Sequence, residues 1–149
     1  VAVIEKYTVG TAATVLTTEL NSLANNTQVV STSTYDNRVG YSGDGSSRAL
    51  VEAVFTYNTA PTAYTFLSVW FLRLIDGTNY EDGSSSITPS RPPDVSIPVR
   101  AVTSAQRVTL AATLPPGKFY TLVRNDGTGQ TLASSGNVIS ILPFTRGGY

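Results

Sequence analysis

At 149 residues the chain suits one core, since a chain of about this size buries roughly two thirds of its unfolded surface and a second core would be starved. Ten basic and ten acidic residues cancel, which leaves no field of one sign to hold nucleic acid or an anionic bilayer and tolerates close self-association. With no Cys and no His, disulfides, thiolate metal sites and the familiar His-based hydrolases are excluded.

Ser and Thr together number 37 and charged residues are 13%, a balance that favours β-structure with polar faces over helices. Eight of the ten basic residues are Arg, the side chain suited to hydrogen-bonded contacts between proteins. Apolar runs such as FLSVWFLRLI are shorter than the ~18 to 20 residues of a membrane helix, so a soluble, unanchored product is expected. Valine in first place is compatible with a removed initiator Met.

Residues 1–47 read as an N-terminal arm, a short helix and a loop. VAVIEKYTVG alternates weakly, and TTELNSLANN offers Thr17 or Thr18 as an N-cap, a helical turn over Glu19 to Ala24, and Asn25 with Asn26 as its stop. QVVSTST is strand-like, whereas YDNRVGYSGDGSS is rich in Gly, Asp, Asn and Ser and predicts an exposed loop.

Residues 48–149 read as the β-sandwich core of the same single domain. RALVEAVFTY places Val51, Ala53, Phe55 and Tyr57 on its core face. AYTFLSVWFLRLI is apolar on both faces, the mark of a central strand or one covered by a partner. Pro98 makes DVSIPVRAV an edge or bulged strand, because proline removes a ladder donor. QRVTLAATL points Val108, Leu110, Ala112 and Leu114 to one side, LPPG reads as a turn opening a hairpin into KFYTLVR, and NDGTG makes the next turn. VISILPF is the last strand before a short tail. The spacing of strands and turns predicts an all-β chain, an antiparallel sandwich of jelly-roll type.

Chemistry is harder to find. Asp76, Asn79, Glu81 and Asp82 could gather oxygen ligands around calcium, but their spacing matches no EF-hand, and Asp and Asn favour turns by bonding their own backbone. The same carboxylates lie too close in one loop to straddle a sugar ring at the ~5 to 9.5 Å of glycosidase chemistry. Trp70, Tyr64, Tyr80 and Tyr120 are weighed as a sugar-stacking platform; core burial is favoured for Trp70, and Tyr80 is the best candidate for an exposed ring. No Ser-x-x-Lys pattern replaces the missing His. No catalytic residue, metal ligand or cofactor site is assigned.

The series LIDGTNYEDG, SRPPDVSIPVRAVTSAQRVTL and LPPGKFYTLVRNDGTGQTLASSGNVISILPF resembles small virion structural proteins of tailed bacteriophages over roughly residues 48 to 145. The resemblance implies a non-enzymatic sandwich that decorates or cements a capsid by binding major capsid subunits or other virion proteins, or that joins the neck or tail. A homo-oligomer is expected, a trimer before a dimer, on the capsid surface and without nucleic acid or membrane. Pro93, Ile97, Pro98, Arg100 and Tyr80 are the candidate interface, and Asp76, Asn79, Glu81 and Asp82 the candidate loop contacts. The alternative is a sandwich of the neck or tail that binds a host receptor or carbohydrate.

Overall fold

The computed structural model describes residues 5–37 and 46–148; the middle of the predicted loop, 38–45, lies outside the described residues. Among the described residues ten strands run in chain order: β1 Glu5–Val9, β2 Ala13–Leu16, β3 Gln28–Val30, β4 Tyr35–Asp36, β5 Arg48–Phe55, β6 Thr65–Arg73, β7 Val95–Val99, β8 Gln106–Thr113, β9 Lys118–Asp126 and β10 Val138–Gly148. They form two antiparallel five-stranded sheets. In the first, the order is β1-β10-β5-β8, with β2 also on β10; in the second it is β3-β9-β6-β7, with β4 also on β9.

Taken as broken single strands, β1 with β2 and β3 with β4 leave two layers of four. From there the chain crosses between layers at every connection except the one from β6 to β7. That winding is the jelly roll. It corrects one expectation: LPPG does not open a hairpin, because β8 and β9 lie in different sheets, and Gly117, at φ 75°, turns the chain from one layer to the other. NDGTG does turn, with Gly127 and Gly129 at positive φ.

Strand alternation fills the space between the layers. Val51, Ala53, Phe55 and Tyr57 meet Leu67, Val69 and Phe71, with Val95, Ile97 and Val99 at one edge and Ile139 and Ile141 beside them. Each large side chain taken out of water contributes roughly 1.5–3 kcal/mol. One polar group among them is fully served: buried Asn125 accepts from Tyr57 Oη (3.0 Å) and Thr128 Oγ1 (2.6 Å) and donates to the carbonyls of Leu23 (3.0 Å) and Gln130 (2.7 Å).

The described residues among the first 47 are not an appendage. β2, β3 and β4 belong to the sheets, and Leu16, Leu20 and Leu23 are buried in the main core. Their wide spacing hides them in a segment rich in Ser, Thr and Asn. The expected helix is only a 3-10 turn, Thr18–Leu20, without a side-chain cap from Thr17. Asn21 is already extended and Ser22 is left-handed at φ 59°. The C-terminal tail is likewise strand, since β10 runs on to Gly148 against β1.

Strand β6 is apolar on both faces for a reason internal to the chain. It is central, between β9 and β7, and its outward Trp70 and Leu72 join Leu122 in a second buried cluster. The long connection 74–94 folds back over them as a strap. Gly83 sits so close to Leu72 that a Cβ there would lie 2.6 Å from its Cδ2. Arg91 fastens the strap, giving Glu81 two bonds (2.9 and 2.7 Å), the Phe71 carbonyl one (2.9 Å) and Asp94 an ion pair at 2.9 Å. Trp70 Nε1 donates to the Arg91 carbonyl at 3.0 Å, and Gln28 ties the strap to β3 by donating to the Ser84 carbonyl and accepting from Thr88 Oγ1.

Candidate contact surfaces

The expected interface residues separate into three places. Ile97 is withdrawn from any surface: it is 0% exposed, because β7 alternates and its odd-numbered residues face the core. Pro93 is half-buried in the strap beside the Arg91–Asp94 ion pair. Pro98 and Arg100 are exposed, and β7 is the sheet edge that its proline predicts.

Pro98 stands directly opposite Phe66 on β6, so the two side chains share the outer face of that sheet. Phe66 is 43% exposed and Tyr64 is 94% exposed. The strap does not reach this end of the sheet. Tyr64 also holds a left-handed backbone at φ 62°, a conformation that costs a non-glycine residue of order 1 kcal/mol or more. Backbone strain of this kind clusters at functional sites, and a ring so exposed packs little of its own chain. Beside it, buried Gln106 fixes the backbone of Arg100, accepting from its N–H at 2.8 Å and donating to its carbonyl at 2.9 Å. The Arg100 guanidinium itself has no partner among the described residues.

Tyr80 and the acidic loop occupy the other end of β6, about 26 Å away at ~3.3 Å per residue from Phe66 to Leu74. The Tyr80 ring is half-buried and meets Tyr120 edge to face at 4.7 Å. Asp76 is a self-bonded turn: its Oδ1 accepts from the N–H of Thr78 (2.8 Å) and Asn79 (2.6 Å), and its Oδ2 accepts from Asn79 Nδ2 (2.7 Å). The Asn79 bonds, then that from Thr78, hold the carboxyl down to about 2. Glu81 is committed to Arg91, whose guanidinium keeps it below the usual carboxylate range. Asp82 is exposed. A groove of about 580 Å³ runs between strap and sheet, lined by Leu72, Tyr80, Asp82, Ile87 and Tyr120 among others.

Another surface escaped the sequence reading. On the outer face of the first sheet, Tyr7, Val9, Leu50, Leu142 and Phe144 line an open groove of about 250 Å³. Its signal was present in alternation: Leu142 and Phe144 continue the outward series of Val138 and Ser140, while Ile139 and Ile141 point inward. Among the described residues no group of three or more acidic side chains is placed to hold a metal ion, and no helix is long and apolar enough to cross a membrane. Comparison with protein-family models, with curated proteins and with solved structures finds no match for this chain.

Proposed function

We propose that the chain is a non-enzymatic structural protein of a virus particle, one that decorates or cements the capsid by binding shell subunits and copies of itself. The observation that carries this reading is the winding of the sandwich: two four-strand layers joined as a jelly roll, an architecture that viral capsid domains use. That is an analogy of fold. The resemblance of residues 48 to 145 to tailed-phage virion proteins points the same way. Two of the three loop carboxylates that could have served an acid–base reaction are engaged in structure, Asp76 in its own turn and Glu81 with Arg91, while Asp82 is exposed.

Attachment to the shell is assigned to Tyr64, Phe66, Pro98 and Arg100, a group with the aromatic and Arg content of interface hot spots. Each contact is modest, but a shell that repeats it many times gains resistance to internal pressure by mass action. A homo-oligomer is part of the proposal, a trimer before a dimer, since a threefold unit matches the threefold sites of an icosahedral shell.

Replacing Tyr64 tests the assignment because fold and contact pull in opposite directions. Tyr64→Gly relieves the left-handed strain, so we expect thermal stability to hold or rise by up to about 1 kcal/mol. Co-sedimentation of the same variant with undecorated particles should fall at least tenfold, and Arg100→Glu should weaken it likewise. Wild-type co-sedimentation by both variants would remove this surface from the attachment.

A further inference from the structure

Strand β1 differs from every other described strand in what holds it. Its described side chains, Lys6 to Val9, are all exposed, and none belongs to either core cluster. Its backbone pairs with Phe144–Gly148, the Gly10 N–H continues the ladder to the Pro143 carbonyl at 2.8 Å, and Thr8 and Arg146 have further partners. Strand β5 pairs β10 only from Val138 to Phe144, so beyond Phe144 the sheet narrows, among the described residues, to a ribbon of two strands, β1 and β10. Such a ribbon is marginal in water on its own, and a segment that opens without uncovering core opens at low cost. Its side chains nevertheless carry specific contact: the Tyr7 and Phe144 rings meet edge to face at 6.1 Å, and Tyr7 and Val9 form one wall of the apolar groove whose other side is Leu50 and Leu142.

We propose that β1 is an exchange arm, which leaves its own β10 and pairs in the same register with β10 of a second copy of this chain. Whatever occupies that edge of β10 must satisfy the register from Glu5↔Gly148 to Val9↔Phe144 and lay two apolar side chains against Leu142 and Phe144. β1 itself meets both requirements. Exchange between identical chains keeps every bond of the strand and confines the cost to the hinge. The hinge is the segment 10–12, where the Gly10 N–H leaves the Pro143 carbonyl and Gly10 adopts new torsions with least penalty. Three residues span at most ~10 Å, so the two sandwiches must lie with their β1 and β2 edges adjacent. A net charge of zero adds no general repulsion. The arm passes either reciprocally between two copies or around a ring of three.

The inference deepens the self-binding half of the function proposed above. The chain has no Cys, so single thiols can be placed at the directly opposed positions Thr8 and Thr145, and at Tyr7 and Arg146 as a second pair. The double variants Thr8→Cys/Thr145→Cys and Tyr7→Cys/Arg146→Cys show which pair closes within the register. The matching single variants, tagged with different masses, are then mixed at high concentration and oxidised. We expect a covalent dimer containing one Thr8→Cys chain and one Thr145→Cys chain, several-fold above the dimers that either variant forms alone. No mixed dimer from either pair overturns the exchange. Particle co-sedimentation of the same variants is scored separately: attachment without mixed dimers fails the exchange alone, and mixed dimers without attachment fail only the virion reading.

Discussion

Glu19 shows how a single side chain sets a condition on stability. Partial burial pushes its carboxyl up, but bonds from the N–H of Thr17 and Thr32 and from Thr32 Oγ1 outweigh it and bring the group from its ordinary 4.5 down to about 2. A carboxylate depressed in the folded state stabilises fully above its ordinary value and loses that contribution as pH falls through the folded one. Stability should therefore decline between about pH 4.5 and pH 2, with Asp76 adding to the same window. Melting temperature followed from pH 7 to pH 2 checks this, and Glu19→Gln should lower the plateau slightly and flatten the acid limb. An acid limb unchanged in Glu19→Gln would place the titration elsewhere.

At the scale of elements, the strap decides whether β6 needs a partner. Arg91 reaches Glu81, Asp94 and the Phe71 carbonyl at once, and its fork geometry is not reproduced by Lys. Arg91→Ala should cost about 2–3 kcal/mol, because it strands two partly buried carboxylates and a carbonyl. It should also lift the strap from Trp70, now 4% exposed, and red-shift the emission of the one tryptophan in the chain. Arg91→Lys should recover only part of either. Truncation separates the N-terminal elements in the same way. A chain lacking residues 1–9 should fold with near-normal stability, whereas loss of residues 1–16 removes β2 and Leu16, 1% exposed, at about 3 kcal/mol or more. Equal stability of the two truncations in urea would contradict the placement of β2.

Elements with strict alternation were legible before the structure: Arg48 to Phe55, the core face of QRVTLAATL, and the edge position marked by Pro98. What alternation could not show was which layer each strand joins, so LPPG read as a hairpin. Nor could local pattern reveal long-range cover. The double apolar face of β6 meets the chain's own strap, so the strand is central and needs no partner to cover it. In the sequence Tyr64 is only a candidate stacking ring, because the torsion that singles it out has no local sequence signal. Ile97 shares its segment with the exposed Pro98 and Arg100, but strand alternation turns it inward.

For the whole molecule, the layers and strap give a sandwich that closes its own core, leaving exposed aromatics at one end of one sheet and a two-stranded ribbon at the edge of the other. Both are the contact features of the proposals above. If this sandwich works in stoichiometric numbers on a virus shell, its copy number relative to the major shell subunit in purified particles, by quantitative mass spectrometry, shows it most directly. Copies in fixed proportion to the shell subunits, on the order of hundreds per particle, are expected. Absence from particles, or a few copies confined to a single vertex, would contradict it.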